Sequence, residues 1–254
     1  MTTPEPQRGA CAPLDIAQYN NIVVLTGAGV SVASGLSTYR GPGGLWEKAE
    51  IARIADAANL PGTLPELWRL YSERRRQALA ARPNPAPPAT AGLQQRAAAR
   101  GQMVTLITQN VDGLHQRAGS PEVIELHGSA FRSRCTNPDC ALPAFPDEDL
   151  HPDAVPACPR CGAPLRPAVV LFGEPLSPTA LLRVNEALFD CDLFLAAGTS
   201  GTVSPASHLV NRAGRSGART ILVNREPMPV ACPAFREEYP GPVEEILPAL
   251  LGGV

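Results

Sequence analysis

No apolar run in this sequence is long enough to span a bilayer. Its net charge of −2 leaves no basic excess for a nucleic-acid backbone. Neither a membrane nor nucleic acid is therefore an expected partner. The opening stretch, MTTPEPQRGACAP, has neither the positive region nor the apolar core of a secretory signal, so the expected compartment is the cytoplasm. There is no internal repeat. Nor is there a disulfide framework: the seven cysteines are an odd number and four of them cluster, which argues for metal. Cys11, Cys191 and Cys232 stand outside the cluster, and Cys191 reads as a buried core thiol.

A further absence falls in the most informative stretch. Residues 22–25 (IVVL) read as a buried strand, followed by the turn Thr26-Gly27-Ala28-Gly29. A short helical run follows over 30–34, then a glycine-rich loop over 35–44. Strand, glycine turn and helix start together can aim backbone N–H groups at a pyrophosphate. Gly27 suits the tight turn and Gly29 a close approach to the anion. The third glycine of the dinucleotide fingerprint is missing, and Val32 holds its place. Nothing resembles the acidic ribose clamp expected roughly 20 residues further on, which disfavours a dehydrogenase.

What the sequence does hold is alternation. Strands are expected over 22–25, 104–108, 123–126, 167–172, 193–197 and 220–224. Helices are expected over 47–58, 64–79, 90–100, 180–188, 205–213 and 244–251, with a short helix end over 14–19. The proline-rich run 81–88 ends the second of the long helices. Strands alternating with helices predict an α/β fold with a mostly parallel sheet covered on both faces. A length of 254 residues suits one large domain, or one large and one small.

Two patterns carry chemistry. Cys135-x4-Cys140 and Cys158-x2-Cys161 are two chelating pairs, and four thiolates complete a closed tetrahedral Zn²⁺ site. With no open position, the zinc is read as structural, holding a small lobe that lacks a core of its own. The second pattern is polar residues at strand ends, where an open α/β sheet keeps its ligand crevice. Gln109-Asn110-Val111-Asp112 follows one strand, and Glu125-Leu126-His127 ends another. His127 has the chemistry of a general base near neutrality. Gly198-Thr199-Ser200-Gly201-Thr202 and Asn224 follow two more strands and suit phosphate or ribose.

Taken in order, these motifs resemble the sirtuin family of NAD-dependent protein deacylases. The resemblance runs from about residue 20 to the C-terminus. It rests on Gly27-Ala28-Gly29-Val30-Ser31, Thr38-Tyr39-Arg40-Gly41, 108–115 (TQNVDGLH), 125–129 (ELHGS), the four cysteines, Phe172-Gly173-Glu174, 198–203 (GTSGTV) and Val223-Asn224. It implies a Rossmann-like doubly wound parallel sheet with a smaller lobe made of a Cys₄ zinc module and a helical module. The expected partition is 14–44, 101–133 and 166–254 for the large domain, 45–100 for the helical module and 134–165 for the zinc module. It also implies NAD⁺ as co-substrate, one structural Zn²⁺, acyl-lysine proteins or peptides as partners, and a monomer.

The resemblance further implies that nicotinamide leaves, the acyl oxygen attacks the ribose, and 2′-O-acyl-ADP-ribose is released. His127, Asn110 and Asp112 would be catalytic, with His127 the base. Gly27, Ala28, Gly29 and Ser31 would lie at the phosphates. Thr38, Tyr39, Arg40 and Trp46 would lie in the cofactor cover, and Gln109 and Val111 beside the nicotinamide ribose. Gly198, Thr199, Ser200, Asn224 and Val243 would hold the adenosine half. Val170, Phe172, Gly173, Glu174 and Val203 would meet the peptide. Tyr71 and Arg74, three apart on one helix face, match the class that removes acidic acyl groups such as succinyl and malonyl. Leu171, Ser204, Tyr39 and Pro87 depart from the commonest family residues, but none replaces His127, Asn110 or Asp112. An ADP-ribosyltransferase using the same site, and a module that senses NAD or ADP-ribose without turnover, are the alternative readings.

Overall fold

The computed structural model describes residues 7–8, 12–38, 49–60, 62–199, 206–226 and 234–252. Its strands are β1 (Gln7–Arg8), β2 (Asn21–Thr26), β3 (Met103–Thr108), β4 (Ile124–Glu125), β5 (Gly128–Cys135), β6 (Phe145–Pro146), β7 (Leu165–Val169), β8 (Leu193–Ala197), β9 (Arg219–Asn224) and β10 (Glu237–Pro240). Its α-helices are α1 (Ala49–Ile54), α2 (Leu64–Ala80), α3 (Ala86–Ala98), α4 (Leu114–Arg117), α5 (Pro178–Phe189), α6 (Ala206–Arg215) and α7 (Val243–Leu250). Seven strands form one parallel sheet in the order β1-β10-β9-β8-β2-β3-β4. From β2 the chain builds outward through β3 and β4, then returns to build the other way through β8, β9 and β10. The reversal lies between β2 and β8, which register Ile22 against Leu193 through Thr26 against Ala197.

The two-residue side-chain period of a strand explains the layers. In β2, Ile22 and Val24 join Leu195, Ile221 and Val223 in a core completed by Ala89 and Leu93 of α3 and Leu247 and Leu250 of α7. Val23 and Leu25 face the other way. They pack with Phe194, Ala196 and Leu222 under Val184 and Leu188 of α5 and Leu209 and Val210 of α6. The α/β, doubly wound reading therefore holds.

Several expected elements shift. Helix α3 begins at Ala86, not at residue 90, because Pro87 and Pro88 fall in its first turn, where a missing N–H costs nothing. The Asn84 side chain accepts from the Ala86 amide there. The strand expected over 167–172 is β7, which leaves the parallel sheet and pairs antiparallel with β5 in a three-stranded sheet, β6-β5-β7. β5 and β10, which lies between β1 and β9, were not anticipated. Helix α3 packs on the large sheet with α7, and β5 pairs with β7 from Gly128.

The small lobe is knitted through α2. Leu64, Leu67, Trp68 and Tyr71 pack against Ala130, Leu165 and Val169. Trp68 Nε1 donates to the Leu165 carbonyl at 2.8 Å. Three consecutive arginines, at first sight a solvated face, separate completely. Arg76 is exposed beside Glu73. Arg74 lines a pocket described below. Arg75 is 0% exposed; it donates to the Ala130 carbonyl at 2.6 Å and meets Asp147 Oδ2 at 3.3 Å. Its guanidinium also lies 5.2 Å from the Trp68 ring. Removing a buried ion-pair partner strands the other charge. Arg75→Ala is expected to lower unfolding free energy by about 3–5 kcal/mol in a denaturant titration. Arg76→Ala should stay within about 0.5 kcal/mol.

Candidate active site

The C-terminal ends of the parallel strands converge on the reversal between β2 and β8, where open α/β sheets bind ligands. Two loops touch there with no side chain between them. A Cβ on Gly27 would lie 2.6 Å from the Gly198 oxygen, and one on Gly29 would lie 2.6 Å from Gly198 Cα. Gly198 has φ +61°, and a Cβ on it would meet the Val30 nitrogen at 2.5 Å. The Gly29 amide donates to the Gly198 carbonyl at 2.8 Å. Gly29 thus serves the approach of the β8 loop, where the sequence reading gave it the approach of an anion. The turn then enters a 3₁₀ helix, Ala28–Ser34, pinned by Asn84 Nδ2 donating to the Val30 carbonyl at 2.7 Å. Sequence reasoning passed over Asn84. Its signal was an Asn between Pro83 and Pro85 at a helix start.

Asn110, 5% exposed, is the hub of the site. Its Nδ2 donates to the Gly27 carbonyl and to Ser31 Oγ, both at 3.0 Å. Ser31 donates to Asp112 Oδ2 at 2.6 Å, and Asp112 Oδ1 accepts the Leu114 amide at 3.0 Å. Burial pushes the Asp112 carboxyl above its ordinary range, against the Ser31 hydroxyl, the Leu114 amide and the Arg74 charge. Ala28, Ser31, Leu36, Arg74, Asn110, Val111 and Asp112 line one pocket with Ser37, Ala78 and Ala130. Tyr71 lies behind it, 5% exposed, in the cluster containing Val111, Ala130 and Leu171.

His127 follows β4, and its Nδ1 lies 2.9 Å from the Gln109 carbonyl. A carbonyl can only accept, so Nδ1 carries the proton and Nε2 is the basic nitrogen. Burial lowers the His127 pKa and the Gln109 bond opposes it, leaving the ring neutral at pH 7. Gln109 Nε2 donates to Thr199 Oγ1 at 2.9 Å, and Asn224 Nδ2 donates to the Thr199 carbonyl at 2.7 Å. Val243 opens α7 at the foot of the same edge. Gln109, Asn110, Asp112, His127, Thr199 and Asn224 therefore belong to one sheet edge. Thr38 ends the described part of its loop. Tyr39, Arg40, Trp46, Ser200 and Val203 lie outside the described residues, as do Cys11 and Cys232.

The segment expected to meet a peptide is already partly engaged. Phe172 donates to the Ala55 carbonyl at 2.9 Å and accepts the Ala57 amide at 3.0 Å, so its backbone pairs with residues 55–57. Glu174 spends its carboxylate on Arg166, with contacts of 2.6 and 2.8 Å, and on the Leu171 amide at 2.8 Å. That clamp fixes the 170–174 turn, with Gly173 at φ +80°. Val170 donates to the His127 carbonyl at 2.9 Å, tying the turn to the base.

The four clustered cysteines fit one zinc. All four sulfurs lie within 4.8 Å of one another, with Cys135 to Cys161 at 3.5 Å and Cys140 to Cys158 at 3.8 Å. A tetrahedron with Zn–S near 2.3 Å has edges of about 3.8 Å, while a disulfide needs about 2.05 Å. The Gly162 amide donates to the Cys158 carbonyl at 2.9 Å, closing the knuckle. The nearby Asp147, Asp149 and His151 group is already served by the Arg75 cation. Metal analysis should find one zinc per chain, and Cys158→Ser should remove it together with the small lobe's cooperative unfolding.

Beneath the site, His115 is 2% exposed between Thr26 and Thr90, and burial pushes its pKa down to about 4. The unfolded chain takes up this proton from about pH 6.5 downward and the folded chain does not, so stability falls as pH drops across that window. The contribution is about 3 kcal/mol in total between pH 6.5 and 4. In unfolding curves at both pH values, His115→Gln should flatten the slope by about that amount.

The model of the Sir2 family matches residues 27–205. The chain is 41% identical to "NAD-dependent protein deacylase 2" of Pyrobaculum aerophilum, covering 93% of this chain and 92% of that one. It is 36% identical to the mitochondrial "NAD-dependent protein deacylase sirtuin-5" of Canis lupus familiaris, over 92% of this chain and 82% of that one. Among solved structures, a Sir2 homolog–NAD complex superposes with a TM-score of 0.83 at 37% identity, covering 93% of this chain and 90% of that one.

Proposed function

The chain belongs to the Sir2 family, and from that premise we propose that it is an NAD-dependent protein-lysine deacylase that releases nicotinamide and 2′-O-acyl-ADP-ribose. One observation carries the reading: a neutral His127, its Nδ1 proton committed to Gln109, stands at the same sheet edge as the Asn110–Ser31–Asp112 network. NAD⁺, as co-substrate, supplies a nicotinamide–ribose bond whose cleavage leaves an electron-poor ribose carbon.

The residues fit that co-substrate. Ala28 and Ser31 line the pocket beside the contact of Gly27 and Gly29 with Gly198, and Thr199 and Asn224 offer hydroxyl and amide groups to the adenosine half. Asn110 and Asp112, locked through Ser31, hold the carboxamide side, so no reorganisation is needed as charge develops. Asp112 also stands near the electron-poor carbon as a fixed acceptor. His127 Nε2 takes the proton from a ribose hydroxyl, and the Gln109 carbonyl stabilises the resulting imidazolium through Nδ1–H. The four cysteines hold zinc away from this chemistry. The small lobe and the 170–174 turn seat the acyl-lysine, whose acyl end enters the pocket lined by Arg74.

Arg74 and Tyr71 select an acidic acyl group within this reading. Both belong to α2, and Arg74 lines the same pocket as Asn110 and Asp112. A guanidinium there matches a succinyl or malonyl carboxylate, and the phenol adds a second donor. The test is nicotinamide release from acetyl-, succinyl- and malonyl-lysine peptides. His127→Ala should lower kcat by at least about 10²-fold on every peptide. Tyr71→Phe with Arg74→Met should lower kcat/KM for the succinyl peptide by about 10²-fold, at roughly 1.4 kcal/mol per decade, and spare the acetyl peptide. Wild-type enzyme that releases no nicotinamide with any acyl peptide would exclude the deacylase.

A further inference from the structure

His115 takes no part in the reaction described above, yet it is enclosed in a file of hydroxyls that ends at the Asn110 amide. Thr26, Thr90, Thr108 and His115 are each no more than 3% exposed. Asn110 N–H donates to Thr108 Oγ1 at 3.1 Å. The hydroxyls of Thr108 and Thr26 lie 3.0 Å apart, and Thr26 Oγ1 lies 2.9 Å from His115 Nε2. On the other side, His115 Nδ1 is 3.2 Å from Thr90 Oγ1, which donates to the Pro87 carbonyl at 2.7 Å.

Each hydroxyl has one proton, so the ring tautomer can be assigned from the Pro87 end of the file. Pro87 O can only accept, and its short contact takes the Thr90 proton. Thr90 Oγ1 must then accept from His115, which places the ring proton on Nδ1. In a neutral ring Nε2 is left as an acceptor, one of three within reach of the Thr26 proton beside Thr108 Oγ1 at 3.0 Å and the Ile107 carbonyl at 3.4 Å. Thr108 Oγ1 also accepts the Asn110 amide. The result is one continuous file from the first turn of α3 to the Asn110 backbone.

We propose that His115 is a positioning residue for the deacylation site: in its Nδ1–H form it orients the Thr26–Thr108 file that holds the Asn110 backbone. Asn110 is the one residue that joins the Gly27 turn to Ser31, and Ser31 fixes Asp112. Hydrogen bonds linked in one file strengthen one another. Breaking the file anywhere frees the loop that carries Asn110 and Asp112, and small displacements of positioning groups cost rate steeply. The proposal rests on the deacylase reading for its kinetic consequences, and on geometry alone for the ring tautomer.

The test has two arms. In ¹⁵N-histidine NMR of the zinc-loaded protein, His115 should show a protonated Nδ1 and an unprotonated Nε2 at pH 7. An Nε2–H ring would overturn the proposal, whatever the activity. In the kinetic arm, Thr26→Val and Thr108→Val should each lower kcat about 10- to 100-fold and raise KM for NAD⁺. KM for the acyl peptide should change less than about twofold, and Thr26→Ser should restore the rate to within about threefold. Thr26→Val combined with His115→Leu should be no worse than either alone, because the chain breaks once. Additive losses, no rescue by serine, or equal increases in both KM values would mean that these residues only pack. An inactive wild type with the Nδ1–H ring would sink the deacylase reading and leave the chain standing.

Discussion

The contact of Gly27 and Gly29 with Gly198 is the constraint from which the site is built. Two loops leave adjacent parallel strands at the point where the sheet reverses its order, and they meet backbone to backbone. No side chain fits at any of the three positions, and Gly198 also needs its positive φ. This closeness brings the Gly27 carbonyl within reach of Asn110, and through Asn110 it brings Ser31 to Asp112. The same approach places Thr199 beside Gln109, and Gln109 holds His127. Loops from four strands are thus made mutually rigid by hydrogen bonds that depend on three absent side chains.

The small lobe reaches this edge through α2 and the 170–174 turn. Helix α2 presents Arg74 to the pocket and sends Arg75 into the zinc-bearing sheet. A residue that lines the pocket is therefore next in sequence to one that fixes the lobe. The Arg166–Glu174 clamp acts similarly: it holds the turn whose Val170 bonds the His127 carbonyl. Zinc, the buried guanidinium and the clamp are charged staples in a lobe with a modest apolar core. Each carries the geometry of the small sheet to the base at the end of β4.

Much of this was legible in the sequence because its signals were local. Runs such as LFLAA at Leu193–Ala197 can only be buried strand, and the cysteine spacing states its own ligand set. Polar residues after such strands lie at the crevice edge, which is why the sequence singles out Asn110, Asp112 and His127. What escaped were relations between distant segments. Pro87 and Pro88 looked like an interruption because their helix start depends on Asn84, which also reaches back to Val30. The run that became β7 was placed in the wrong sheet, since short apolar strands of both kinds look alike. Arg75 and Arg76 could not be told apart until packing buried the first and left the second exposed.

The polar groups under the site are neutral, and this follows from the chemistry they serve. A site that stabilises an electron-poor ribose carbon needs one well-placed carboxylate, and further buried charges would compete with it in a medium of low dielectric constant. In the deacylase reading proposed above Asp112 is that carboxylate, and the groups that hold it through Asn110 are an amide and a serine hydroxyl. His115, buried beneath Asn110, keeps the same rule by remaining neutral, with its pKa near 4. A lysine or arginine there would anchor the loop as firmly but would draw the Asp112 field away from the substrate. Threonine hydroxyls and a neutral imidazole anchor it without adding charge.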